Sequence, residues 1–162
     1  MTHSPEDLKR AFWNELRADR IVMLGMPGKA NARPMTAMIL GEEDRGPVWF
    51  FTSSATDMGR MHGPAHGEFD FVSKGHGLFA NVQGTISPDS SPTRIDALWN
   101  PMVEAWFEGG RQDPTLRLMR FDCDEAEIWL SPNSLVAGVK LYFGIGDPRA
   151  DYADNNAKVA LG

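Results

Sequence analysis

A single cysteine, Cys123, is all that 162 residues provide, so no internal disulfide can form, and a reducing compartment suits the chain. Basic residues are also in the minority. With 16 Lys and Arg against 22 Asp and Glu the formal net charge is −6, and no basic run stands out, which argues against a nucleic-acid partner. No uninterrupted apolar stretch approaches the ~20 residues of a membrane span, and Met-Thr-His-Ser-Pro-Glu lacks the regions of a secretory signal. The expectation is a cytoplasmic protein with no membrane partner. Missing too are a Gly-x-Ser-x-Gly elbow, a paired-cysteine site and a Walker loop, which leaves nucleophilic, zinc and nucleotide-hydrolysis mechanisms without a carrier.

What is present is an ordinary globular composition, 42% hydrophobic and 23% charged, on a chain long enough to bury a core. A single domain over residues 1–162, with a C-terminal tail from about 146, is the simplest division. Ser4, Pro5, Glu6 and Asp7 mark a helix start, with Ser at the cap, Pro in the first turn and acids beside the helix N-terminus. Leu8, Ala11, Phe12 and Leu16 follow at helical spacing, so one face of that helix packs against a core. Residues 20–24 read as a first strand, ended by the Gly25-to-Gly28 turn cluster.

Residues 33–40 and 48–54 are two runs rich in strand formers on either side of a polar Gly- and Pro-bounded connector, and they read as a hairpin. The second run ends in Thr52, Ser53 and Ser54, just before a short segment able to start a helix. Hydroxyls, free backbone N–H groups and the nearby Arg33 together suit an oxyanion such as phosphate. Further strands are expected over 68–73, 78–86, 116–123 and 126–130, the last two flanking Asp124-Glu125. Ser91-Pro92 caps a helix carrying Ile95, Leu98, Trp99, Met102 and Trp106, which Pro101 should kink or divide. The pattern is mainly β with flanking helices, an antiparallel sheet or barrel.

Three motifs have plainer explanations. Gly75-His-Gly-Leu-Phe-Ala80 fits the dinucleotide pattern, but a strand rather than a helix should follow it. His62 and His66 are spaced like zinc ligands on a helix, yet Gly63-Pro64 lies between them, so two loop histidines are expected. Cys123 stands between Asp122 and Asp124, whose charges raise a thiol pKa, and it reads as a strand cysteine.

The order of a leading helix, a strand near Arg20, Arg33-Pro-Met-Thr36 and Trp49-Phe-Phe-Thr-Ser53 resembles the pyridoxamine 5′-phosphate oxidase-like split barrels. It is most similar to their small bacterial general stress proteins. Val82-Gln-Gly-Thr85, Leu98-Trp-Asn-Pro-Met102, Trp106-Phe-Glu-Gly-Gly110 and Ala126-Glu-Ile-Trp-Leu130 extend the likeness to about residues 5–145. It implies an antiparallel split β-barrel with flanking helices and a homodimer that binds flavin mononucleotide (FMN) at its interface. By position, Arg33 would hold the phosphate, Pro34, Met35 and Thr36 would run beside the ring, and Phe51, Thr52 and Ser53 would supply backbone and hydroxyl contacts. Gln83 would approach from a neighbouring strand, and Trp106 and Trp129 would close the pocket, from the same chain or from the partner.

In one place the chain departs from the pattern: Met58 stands where the family commonly has a lysine, which should weaken binding unless Arg60 reaches the same site. The implied function is a flavoprotein oxidoreductase of the general stress response, with a reduced nicotinamide or another small molecule as substrate. The alternative is a non-catalytic flavin-binding or flavin-free stress protein.

Overall fold

The start of the chain folds as its residues dictate. The helix α1 (Pro5–Ala18) opens on a reciprocal cap, in which the Ser4 hydroxyl accepts the Asp7 N–H at 3.1 Å and the Asp7 carboxylate accepts the Ser4 N–H at 3.2 Å. Its apolar stripe buries Leu8, Phe12, Trp13 and Leu16. The computed structural model describes residues 3–131 and 156–162. The apolar patch at residues 139–143 and the first part of the expected tail lie outside the described residues.

Among the described residues seven antiparallel strands form one sheet: β1 (Ile21–Met26), β2 (Ala30–Thr36), β3 (Val48–Ser53), β4 (Ala65–Val72), β5 (Leu78–Pro88), β6 (Leu116–Leu130) and β7 (Asn156–Ala160). Their order is β2-β1-β4-β5-β6-β3, with β7 also paired to β6. Residues expected as a tail therefore end in a strand, because Val159 and Leu161 alternate inward and are buried.

The expected hairpin between β2 and β3 does not form. β2 pairs with β1, placing Arg33 opposite Leu24, while β3 pairs with β6, placing Phe50 opposite Met119. The connector is drawn instead onto α1, where Arg17 donates to the Glu43 carbonyl at 2.8 Å and to Asp44 at 3.1 Å. β2 and β3 thus end the sheet on opposite sides and approach each other at one bridge, where Met38 and Trp49 exchange N–H···O bonds of 2.8 and 2.9 Å. The sheet curls nearly into a barrel without closing, which is the split-barrel fold.

Nor do residues 116–123 and 126–130 form two strands. They are one strand of 15 residues, with Asp124 bulged between the Gly84–Cys123 and Gln83–Glu125 pairs. The extra residue lets both Cys123 and Ala126 face the core while Asp124 and Glu125 face water. Gly84 is required there, since a Cβ would overlap the Asp122 carbonyl.

Pro101 divides the second helical region into α2 (Pro92–Leu98) and α3 (Pro101–Glu104), the latter capped by Asn100 accepting the Val103 N–H at 3.0 Å. Trp99 and Trp106 consequently do not share a helix face. Phe50, Phe69 and Phe121 meet edge to face in the main core, at centroid distances of 5.0 to 6.3 Å. A second cluster, including Met38, Trp49, Leu98, Val103 and Phe107, lies under α2 and α3.

His66 proves to be on β4 rather than in a loop, opposite Thr85, and among the described residues no group of His, Cys, Asp or Glu could hold a metal. Gly75 to Ala80 turns into β5 and not into a helix. Burial, reinforced by Asp122 and Asp124, pushes the Cys123 thiol far up, so it stays protonated.

Candidate cofactor site

Where β2 and β3 part beyond the Met38–Trp49 bridge, a cleft of about 470 Å³ opens between them, within the range of small-molecule sites. Arg33, Pro34, Met35 and Thr36 form one wall, and Phe51, Thr52, Ser53 and Thr56 form the opposite one. Arg20 and Ile21 come from the start of β1, while Asn100, Met102, Val103, Trp106 and Phe107 cover the far side. Eight of the residues singled out from the sequence are thereby brought together: Arg33, Pro34, Met35, Thr36, Phe51, Thr52, Ser53 and Trp106.

The hydroxyl end of the cleft is more committed internally than the sequence implies. Thr56 donates its hydroxyl proton to the Ser53 carbonyl at 2.9 Å and accepts the Gly59 N–H at 2.9 Å. In its 2.9 Å contact with Thr52, therefore, Thr52 must be the donor. Backbone groups are taken as well: the N–H of Ser54 goes to the Thr115 carbonyl, that of Ala55 to the Ser53 hydroxyl and that of Thr56 to the Ser53 carbonyl. The first three N–H groups after the strand are thus used to fold the turn. Of the side chains at this end, the Arg33 guanidinium and the Ser53 O–H, whose oxygen already accepts from Ala55, are available to an anion. The single turn of 3-10 helix that follows, Met58–Arg60, needs Gly59, because a Cβ there would run into the Ser53 carbonyl.

Four residues named from the sequence lie elsewhere. Met58 is 5% exposed and belongs to the main core, although it also lines a smaller adjoining space of about 120 Å³ beside Arg33, Thr52 and Thr56. Arg60 does not replace a lysine at that position. It donates to the Ala55 carbonyl at 2.7 Å and is paired with Asp57, so its charge is spent outside the cleft. Gln83 sits in the sheet between Glu68 and Glu125 and donates to Asn81 at 2.8 Å. Trp129 lies near the end of β6, between Phe79 and Asn156. Neither of these last two reaches the cleft of its own chain.

The charge of the cleft is simple. Its lining holds two arginines, Arg20 and Arg33, and no carboxylate, imidazole, thiol or amine. Among the described residues neither arginine has a carboxylate partner. Sequence reasoning passed over Arg20, whose signal was a cation at the head of the first apolar strand. It also passed over Thr56, Asn100 and Phe107, which only the packing of distant segments brings to the site. Trp106 stands at the mouth, 80% exposed, and Phe51 meets Trp99 edge to face at 6.0 Å behind the wall.

A family model described as pyridoxamine 5′-phosphate oxidase like matches residues 7–144. The chain is similar to the solved structure of a general stress family protein from Xanthomonas campestris pv. campestris, at 47% identity and a TM-score of 0.75 over 80% of this chain and 91% of that one. A general stress FMN/FAD binding protein from Xanthomonas citri is 47% identical, with a TM-score of 0.74 over 78% of this chain and 91% of that one. A general stress protein 26 from Jannaschia sp. CCS1 is 27% identical, with a TM-score of 0.78 over 97% of this chain and 99% of that one. Among curated proteins no match is found.

Proposed function

This chain belongs to the pyridoxamine 5′-phosphate oxidase-like family, in its general stress protein branch, and from that premise we propose an FMN-dependent oxidoreductase of the stress response. One observation carries the reading. The cleft in the split joins the Arg33 guanidinium, which has no carboxylate partner among the described residues, and the Ser53 O–H to a wall of Met35, Met38, Phe51, Val103 and Phe107. A phosphate at one end and a flat, largely apolar ring along the wall match that division of chemistry.

Arg33 would grip phosphate oxygens with its planar fork, and the Ser53 O–H would add a hydrogen bond. The methionine and phenylalanine side chains would exclude water from the ring faces, while Thr36 and Asn100 would meet polar ring edges. When bound, the flavin supplies the electron transfer, with a reduced nicotinamide or another small molecule as substrate. Such chemistry asks for no protein acid or base, and the cleft lining offers none.

The active form would be a homodimer with the flavin at its interface. Gln83 and Trp129 lie away from their own chain's cleft, so a contribution from either requires a second copy. The alternative, a flavin binder without catalysis, draws on the weak anion seat, in which Met58 is buried and Arg60 is neutralised by Asp57.

The test is an absorbance spectrum of the purified protein followed by titration with FMN. Bands near ~370 and ~450 nm, or saturable binding of about one flavin per chain, are expected. Bleaching by a reduced nicotinamide and recovery in air identify the oxidoreductase, whereas a bound flavin that does not cycle identifies the binder. A colourless protein indifferent to FMN sinks both.

A further inference from the structure

The cleft contains one cation more than a phosphate seat requires. Arg20 immediately precedes β1, and its carbonyl accepts the Ala37 N–H at 2.7 Å, whereas Arg33 stands opposite Leu24. Residues 33 and 37 are four apart on an extended strand, so the two arginines enter the cleft about 13 Å apart along the chain direction. The hydroxyl cluster belongs to the Arg33 end. The small adjoining space groups Arg33 with Thr52 and Thr56 and does not include Arg20. β2 and β3 run antiparallel from the Met38–Trp49 bridge, so moving along β2 towards Arg33 is moving along β3 towards Ser53.

We infer that Arg20 is a second anion-recognising residue, facing the ring end of the flavin and holding the negative charge that reduction places there. The inference rests on the FMN reading above. A hydride from a reduced nicotinamide carries two electrons and one proton into the ring. The nicotinamide is left oxidised, and the ring, with no second proton, gains one negative charge. A guanidinium at that end attracts the reduced form more strongly than the neutral oxidised one. The preference is moderated by solvent, because Arg20 is exposed.

The experiment compares Arg20→Gln and Arg20→Lys with the wild type, using FMN as the probe and reading oxidised-flavin affinity and midpoint potential. In Arg20→Gln the affinity for oxidised FMN should stay within about twofold, while the affinity for reduced FMN falls about tenfold. For a two-electron couple that lowers the potential by ~30 mV. Arg20→Lys, which keeps the charge, should restore most of the shift. A wild-type potential in Arg20→Gln overturns the inference. So does an equal loss of both affinities, which would move Arg20 to the phosphate seat. If the wild type binds no flavin, the FMN reading itself fails before any variant is made, and this inference falls with it.

Discussion

The two flanks of the sheet are built from the same kind of strand and end differently. Along β4, β5 and β6 pairing runs the length of the strands, broken only by the bulge at Asp124, and inward residues such as Phe69, Val82 and Ile128 are fully buried. The outward polar groups of that flank satisfy one another: Asn81 donates to Glu68 at 2.6 Å and to Asp70 at 2.7 Å. Between β2 and β3 pairing stops at one bridge. There the inner surface is open to solvent, and two arginines stand without carboxylate partners among the described residues. The closed flank carries stability, and the open flank carries groups available to a ligand. A cation left unpaired inside a cleft contributes little to folding and much to binding an anion.

Substitutions on the two flanks should therefore separate stability from affinity. The largest effect is expected on the closed flank. Phe121→Ala removes a fully buried ring packed on Phe50 and Phe69 and should cost about 3–5 kcal/mol of unfolding free energy in denaturant titrations. A loss below about 1 kcal/mol would mean that the core relaxes freely and that the contrast between flanks is weak.

Met58 sits on the boundary and should show both effects at once. Met58→Lys is expected to lose about 1–3 kcal/mol of stability by removing a buried apolar side chain. If its ammonium reaches the space beside Arg33, FMN affinity should nonetheless rise several-fold. Unchanged or weakened affinity would assign Met58 to the core alone.

On the open flank the order reverses. Arg33→Ala should weaken FMN binding at least tenfold, about 1.4 kcal/mol, with an unchanged thermal melt. Equal affinity would remove Arg33 from the seat, and a lowered melt would give it a folding role. Smallest of all, Trp106→Ala should leave stability within about 0.5 kcal/mol, since the side chain is 80% exposed, and weaken FMN binding by only a few-fold in the same titration. A large loss of stability would show that Trp106 is covered in solution by a second chain.

How much of this was legible follows from where each feature gets its partners. The cap of α1 needs groups three residues apart, and the alternation of β5 needs its own side chains; both could be read directly. That Arg33, Thr52 and Ser53 lie close together could be read because strand formers deliver them to one region, and they line one cleft. The partner of β2 could not be read, since the β2–β3 hairpin and the β1–β2 hairpin satisfy the same backbone groups. Arg17 holding the connector on α1 is a contact across 26 residues. The bulge at Asp124 escaped for a similar reason, because an exposed acidic pair looks like a turn until Gly84 is seen to face it.

Arg60 and Met58 show the limit most directly. Position in the chain put both near the seat, but one pairs with Asp57 and the other packs inward, and rotamers of that kind are chosen by the surroundings.

By itself the sequence determined most of the elements, the inward and outward faces of the strands and the family. Those depend on periods of two and 3.6 residues and on caps that close within a single turn. Tertiary structure alone decided which strands pair, where the sheet stays open, which N–H groups remain for a ligand and that Arg20 shares the cleft with Arg33. Those outcomes rest on competition among distant partners for the same hydrogen bonds and buried surface, and only the assembled core settles that competition.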